Sequence, residues 1–140
     1  MAALTKQFGQ IDIYLFDQLL RGRIAPGMRI LDAGCGAGRN LVYLLQAGFE
    51  VFGADVSRVA IEQVQGLAAR LAPALPADNF RVESLAALSF PKRFADVVIC
   101  SAVLHFAADD AQFNAMLRGC WETLNSNGLF FCRLASSIGL

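Results

Sequence analysis

Short apolar runs alternate along the chain with stretches in which apolar residues recur every three or four positions. Runs of this length are typical of buried strands, and the recurrence at three or four positions is typical of amphipathic helices. Regular alternation of the two predicts a parallel sheet whose strands are connected by crossover helices. The chain has 140 residues, a length that fits one domain.

The pattern places each predicted element within a few residues. Strands are expected at residues 28–32, 49–54, 79–82, 95–100 and 129–134. Helices are expected at residues 8–20, 39–46, 58–71 and 109–124, and a turn at 125–128. Ser57 is expected to cap the third helix, because its hydroxyl can accept from a free amide of the first turn. Right-handed crossovers would join these strands into an open, doubly wound sheet.

Composition narrows the classes of function. Twelve basic residues balance twelve acidic ones, which argues against the broad electrostatic attraction that nucleic-acid binding requires. Apolar runs are far shorter than the roughly 20 residues of a membrane-spanning helix, and the first ten residues do not have the pattern of a secretory signal. The four cysteines have no metal-ligand or redox spacing. We therefore expect a cytoplasmic protein with reduced thiols, no membrane segment and no metal site.

A glycine-rich turn follows the first predicted strand, where open parallel sheets bind their ligands. Gly34 permits a tight bend, Gly36 leaves room for a ligand, and Gly38 permits close packing of helix on strand. A turn that binds a dinucleotide has glycines at its first, third and sixth positions, whereas these occupy the first, third and fifth. Asp32 would repel a pyrophosphate and would suit an ammonium group. The turn therefore predicts a nucleoside cofactor that carries positive charge.

Asp55 stands at the end of the second predicted strand, 21 residues after Gly34. At this position an acidic side chain can accept hydrogen bonds from ribose hydroxyls. An aspartate at a strand end is commonly only a turn residue. Its distance from the glycine turn favours the binding role.

Three segments carry a family resemblance. Residues 30–40 (ILDAGCGAGRN), 51–57 (VFGADVS) and 94–105 (FADVVICSAVLH) resemble, in order, the first motif, the second motif and the fourth-strand motif of the class I S-adenosylmethionine-dependent methyltransferases. The resemblance implies a Rossmann-like α/β fold with a mostly parallel sheet in strand order 3-2-1-4-5. It also implies S-adenosylmethionine as cofactor and methyl transfer as the activity.

The resemblance also implies roles for individual residues. Asp32 and the backbone of the glycine turn would hold the methionine end, Asp55 would accept both ribose hydroxyls, and Val56 would pack on the adenine. Ser84 stands where many relatives have an acidic residue facing the adenine amino group, so this contact would be uncharged. The full expected cofactor-binding set is Asp32, Ala33, Gly34, Cys35, Gly36, Gly38, Asp55, Val56, Ser84, Leu85 and Ser101.

Methyl transfer is an in-line displacement, and much of its acceleration comes from holding the reactants aligned. A general base is needed only when the acceptor must lose a proton. His105, the sole histidine, is the candidate base, and the alternative is a loop histidine without a chemical role. Asn40, at the start of the predicted second helix, is equally compatible with ligand contact and with a place on the helix surface.

The chain departs from the family at its carboxyl end. Residues 1–27 are expected to form a helix and a turn, and residues 28–140 the cofactor-binding domain. Family members usually have seven strands, and the sixth and seventh are absent from this pattern. An uncovered fifth strand would expose an apolar edge. We therefore expect either a domain truncated at this end or a second copy of the chain, in a homodimer, that covers the edge.

The methyl acceptor cannot be read from the residues, and zero net charge favours a small molecule. Two alternatives to the enzyme stay open. One is a non-catalytic module that binds S-adenosylmethionine or a nucleotide. The other is an NAD-dependent oxidoreductase, which the glycine spacing and Asp32 disfavour.

Overall fold

Five parallel strands form a single sheet in the computed structural model of the protein, which describes residues 2–134. The strands are β1 (Arg29–Ala33), β2 (Glu50–Asp55), β3 (Phe80–Val82), β4 (Ala95–Ser101) and β5 (Leu124–Arg133). Their order is β3-β2-β1-β4-β5, and every neighbouring pair is parallel. The predicted fold class and strand order are confirmed.

Helices cover both faces of the sheet because its central strands are apolar on both sides. The helices are α1 (Ala2–Phe8), α2 (Ile13–Leu20), α3 (Val42–Gln46), α4 (Arg58–Leu71) and α5 (Asp110–Thr123). On one face, Ile30 of β1 packs in a cluster with residues of α2, α3 and α4, including Leu15 and Val64. On the other face, Leu31 packs in a cluster with Met116 and others from α5. Successive residues of β1 therefore enter opposite cores, as the strand geometry requires.

The expected single helix over residues 8–20 is wrong, because two helices meet there. Gly9 ends α1 in the left-handed region, at a φ of +64°. Asp12 then begins α2, and its carboxylate accepts from the backbone N–H groups of Tyr14 (2.8 Å) and Leu15 (3.3 Å). The apolar period continues across the break, but this local cap fixes a new helix start.

Two further boundaries differ from the prediction. α3 begins at Val42 rather than at residue 39, because residues 38–41 still belong to the turn, with the Leu41 N–H donating to Gly38 O (3.0 Å). β5 begins at Leu124, so the expected turn at 125–128 lies inside the strand as a bulge. Ala95 pairs with Leu124, but Val97 pairs with Leu129, so the extra residues of β5 bend away from the ladder.

Other predicted elements are confirmed. α4 spans the expected residues, and the Ser57 hydroxyl accepts from the Ala60 N–H (3.2 Å).

Within the described residues, β5 pairs only with β4, and residues 125–127, 132 and 133 of β5 are exposed. No helix between residues 2 and 134 has both the length and the apolarity needed to cross a membrane.

Candidate functional site

Two adjoining cavities open at the edge of the sheet where β1, β2 and β4 end. The smaller, of about 260 Å³, is lined by Asp32, Gly34, Cys35, Gly36, Ala37, Arg39, Asn40 and Ser101. The larger, of about 660 Å³, is lined by Gly34, Arg39, Asp55, Val56, Ser84, Leu85, Ser101, Ala102, Val103, Phe106, Gln112 and Met116. Gly34, Arg39 and Ser101 line both, so the two cavities form one continuous site.

The glycine turn brings its backbone close to this site. Gly34 has a φ of +81°, and a Cβ atom there would lie 2.5 Å from Val103 Cγ2. At Gly36, with a φ of +53°, a Cβ atom would meet no other atom within 4 Å. Gly34 therefore permits a close approach within the protein, whereas the space beside Gly36 is open to a ligand.

Asp55 ties the glycine turn to the end of β2. Its Oδ2 accepts from the Gly36 N–H (2.9 Å) and its Oδ1 accepts from the Ser57 N–H (2.8 Å). Each carboxylate oxygen can accept a second hydrogen bond. Asp55 can therefore hold the turn in place while it accepts from hydroxyl groups of a ligand in the larger cavity.

Asp32 is a buried carboxyl at the end of β1. Only 3% of its surface is exposed, and that surface faces the smaller cavity. Burial raises the pKa of Asp32 from 3.8 to about 7, and the negative charge of Asp55 adds to the increase, while Arg39 opposes it. An ionised Asp32 is costly without a cationic partner, so the cavity is suited to a ligand that carries an ammonium group.

The larger cavity combines apolar walls with a few polar groups. Val56 is 71% exposed and offers its side chain as an apolar surface to the cavity. The Ser84 hydroxyl accepts from the Ala86 N–H (3.1 Å), which leaves its own proton available for donation. The Ser101 Oγ is buried and has no hydrogen-bond partner among residues 2–134. A buried hydroxyl without a partner at a cavity wall is a group that a ligand can satisfy.

These residues fit S-adenosylmethionine. The smaller cavity offers a carboxylate and an open backbone turn to an amino acid end, and the larger offers Asp55 and an apolar wall to a nucleoside. Within the described residues, no group of three or more His, Cys, Asp or Glu side chains could hold a metal ion.

Three predicted site residues do not face the cavities. Ala33 is fully buried in β1, and Gly38 lies against Val64 and Leu67 of α4 rather than against a strand. His105 lies on a short 3₁₀ turn, Leu104–Phe106, with its ring 4.4 Å from that of Phe106. In the part of the chain that the structure describes, His105 is not among the residues that line either cavity. Its role as a base stays a prediction.

Sequence reasoning missed several residues that line the larger cavity. Phe106 is 77% exposed, and an exposed aromatic residue just after the fourth strand motif is a signal that could have found it. Gln112 and Met116 reach the cavity from α5, one turn apart. Their spacing is that of any amphipathic helix, so the sequence carries no sign that this face of α5 meets the site.

Comparisons with known proteins agree with this geometry. A family model described as a methyltransferase domain matches residues 30–128, more than half of the chain. The chain therefore belongs to that family, the methyltransferase domain of the class I S-adenosylmethionine-dependent enzymes.

Individual relatives support the same assignment. A ubiquinone biosynthesis O-methyltransferase of Cereibacter sphaeroides is 36% identical over 106 residues, which cover 76% of this chain and 40% of that protein. The magnesium protoporphyrin IX methyltransferase of Synechocystis, solved with bound S-adenosylmethionine, is 29% identical, with a TM-score of 0.63 over 77% of this chain and 50% of that chain. The PH0226 protein of Pyrococcus horikoshii shares the fold, with a TM-score of 0.73, 24% identity and coverage of 91% and 54%. The chain spans only 26% to 47% of the length of the curated relatives that it matches.

Proposed function

We propose that the chain binds S-adenosylmethionine where β1, β2 and β4 end, and that it transfers the methyl group of this cofactor to a small molecule. The observation that carries the proposal is the buried Asp32 carboxyl, which lines a cavity beside an open glycine turn. Burial raises the pKa of this carboxyl to about 7, because the opposing effect of Arg39 is too weak to offset it. The ammonium group of a methionine would supply a cationic partner.

Each end of the cofactor has its own residues. Asp32, with the backbone at Gly34, Cys35 and Gly36, holds the methionine end in the smaller cavity. Asp55 accepts from the ribose hydroxyls in the larger cavity. The adenine packs on Val56, its amino group faces Ser84, and its ring accepts from the Leu85 backbone N–H. Ser101, between the two cavities, lies beside the methyl group.

The chain's contribution to catalysis is alignment. The bound cofactor supplies a methyl group on a sulfonium, which is already activated for displacement. Ser101 and the apolar side chains of Val103 and Phe106 exclude water and restrict the direction from which an acceptor approaches. Where the acceptor must lose a proton, His105 takes it, which requires the turn at Leu104–Phe106 to bring its ring to the cavity.

A small-molecule acceptor is supported by the relatives. The relatives include ubiquinone biosynthesis and magnesium-protoporphyrin O-methyltransferases, and both names denote a small-molecule acceptor. The balanced charge of this chain supports the same class. Fold alone does not fix the acceptor, because one scaffold serves many reactions.

Two further proposals concern the cellular compartment and the oligomeric state of the protein. The four cysteines are unpaired thiols, which supports a reducing compartment such as the cytoplasm.

β5 is paired on one side only within the described residues, which supports a homodimer that covers this edge. Sedimentation velocity over a range of concentrations tests the dimer, and a monomer at all of them contradicts it.

Titration calorimetry with S-adenosylmethionine, S-adenosylhomocysteine and NAD tests the binding. We expect both adenosyl compounds to bind and NAD not to bind, whereas binding of NAD alone would contradict the proposal. Asp55→Ala should weaken binding roughly tenfold to a hundredfold, since it removes hydrogen bonds to a charged group. Glu62→Gln, on the exposed side of α4, is the control.

Turnover separates the enzyme from a non-catalytic binding module. Release of S-adenosylhomocysteine with members of a panel of phenols, thiols and carboxylic acids supports the enzyme. Tight binding of the adenosyl compounds without turnover on the panel supports the module.

A further inference from the structure

A further cavity lies at the opposite end of the sheet from the cofactor site. It has a volume of about 420 Å³ and lies between the turn before β4, the end of α5 and the bulge of β5. That volume is in the range of small-molecule sites. β4 has seven residues, so about 20 Å of strand separate this cavity from Ser101. The cavity is therefore separate from the cofactor site.

Trp121 supplies this cavity with an aromatic surface. It is the sole tryptophan of the chain and lies in the last turn of α5, with 61% of its surface exposed. Its ring meets that of Phe130 edge to face, with the centroids 5.9 Å apart. This contact holds the indole in place, and the exposed area leaves ring surface on which a planar ligand can stack.

Two cations lie beside the end of α5. Lys92 and Arg93 are exposed and line the cavity, and the Arg93 N–H donates to Glu122 O (2.9 Å). Other carbonyls of the last turn accept from the N–H groups of Phe94 and Leu124, so the basic side chains are not needed to cap the helix. Between residues 2 and 134, neither basic side chain has a hydrogen bond, an ion pair or a ring contact. Both charges are therefore available to an anion.

The bulge of β5 adds neutral polar groups. Ser126 and Asn127 are exposed and line the cavity, and their side chains make no hydrogen bond in the part of the chain that the structure describes. A hydroxyl and an amide can each donate to and accept from sugar hydroxyls. Glu122 is the one acidic side chain among the described residues that line the cavity, so positive charge predominates there.

We propose that this cavity binds a small ligand that combines a planar ring, a sugar and an anionic group, as a nucleoside monophosphate does. The ring stacks on Trp121, and the sugar hydroxyls contact Ser126 and Asn127. The phosphate pairs with Lys92 and Arg93. An aromatic acid would leave the polar groups of the bulge unused. The balanced charge of the whole chain disfavours a nucleic acid as the ligand.

Tryptophan fluorescence tests this proposal directly, because the sole tryptophan lines the cavity. Inosine 5′-monophosphate (IMP) is the probe, since it lacks the adenine of the proposed cofactor. Inosine provides the ring and sugar without the anion, ribose 5-phosphate the sugar and anion without the ring, and benzoate a ring and an anion without the sugar. We expect IMP to quench the fluorescence saturably at low salt and to bind at least about tenfold more tightly than each of these three.

Charge variants test the phosphate contacts. Lys92→Gln and Arg93→Gln should each weaken IMP roughly threefold to tenfold and leave inosine unchanged, because only the phosphate meets the cations. Glu122→Gln should tighten IMP, since it removes a like charge from the lining. Arg118→Gln is the matched control, because it removes an exposed cation of α5 that does not line the cavity. It should leave the affinity for IMP unchanged.

Two further variants test the stacking and the location. Trp121→Leu, followed by calorimetry, should weaken IMP and inosine alike, because both lose the same ring contact. Asp55→Ala, at the cofactor site, should bind IMP as the wild type does.

The outcomes are distinct. Absence of saturable quenching by IMP would overturn the proposal, as would an equal effect of Arg93→Gln and Arg118→Gln or loss of IMP binding in Asp55→Ala. Benzoate that binds as tightly as IMP would make the ligand an aromatic acid instead. A short single-stranded oligonucleotide that binds more than about tenfold more tightly than IMP would make it a nucleic acid. Failure of the wild type to bind S-adenosylhomocysteine would contradict the proposed function and not this second site.

Discussion

Replacing Asp32 by Asn should stabilise the free protein at high pH and have little effect at low pH. The folded protein raises the pKa of this carboxyl from 3.8 to about 7, chiefly through burial. Between these two values the folded chain holds a proton that the unfolded chain has lost. Stability therefore falls as the pH rises from about 4, and the loss is complete once the pH passes about 7. A shift of about 3 units corresponds to roughly 4 kcal/mol of unfolding free energy.

Urea denaturation followed by circular dichroism measures this free energy at several pH values between 4.5 and 8.5. The difference between Asp32→Asn and the wild type isolates this one carboxyl from the other groups that titrate. It should be small near pH 4.5 and approach roughly 4 kcal/mol, in favour of the variant, above pH 7. Glu62→Gln, an exposed carboxyl on α4, should show no such change. A difference that is constant across the range would refute a raised pKa at Asp32.

Three other predictions concern the pH dependence of cofactor binding, the packing of Gly34 and the exposure of the cysteines. The affinity for S-adenosylhomocysteine, measured by calorimetry, should rise up to about tenfold per pH unit from pH 5 to pH 7 and then level off, because ionised Asp32 binds the ammonium group; a flat profile would contradict this. Gly34→Ala should lower the unfolding free energy by about 1–3 kcal/mol, since its Cβ meets Val103, and equal stability by urea denaturation would be against it. Ellman's reagent should modify the exposed Cys132 well before the buried Cys35, Cys100 and Cys120, whereas uniform rates would contradict the burial.

The strands and the ligand-binding edge could be predicted because their signals are local. An apolar run such as Val97 to Ile99 is buried on both faces wherever it lies in a parallel sheet, and the glycine spacing reports on the turn itself. The sequence predicts one helix over residues 8–20 because the apolar period runs through the break, whereas Asp12 caps a separate helix, α2, at that point. Residues 125–128 of β5 have turn chemistry, so the sequence predicts a turn there, and only the pairing with β4 shows that they lie within a strand.

The parts of the site that depend on packing between distant segments could not be predicted. Asp55 was expected at the site, but not its bond to the Gly36 N–H, which depends on how β1 and β2 are aligned. Gln112 and Met116 reach the larger cavity only because α5 crosses that end of the sheet. The meeting of Asp12 with Arg133 spans 121 positions, and no local pattern indicates it.

In the proposed complex, the methionine end of S-adenosylmethionine lies in the smaller cavity, with its nucleoside in the larger one. A crystal structure of the protein with S-adenosylhomocysteine tests this most directly. We predict the amino group within hydrogen-bond distance, about 3 Å, of the Asp32 carboxylate, and the ribose hydroxyls at the same distance from Asp55. Density for the ligand at another place, or a reversed ligand with its adenine beside Asp32, would contradict the account.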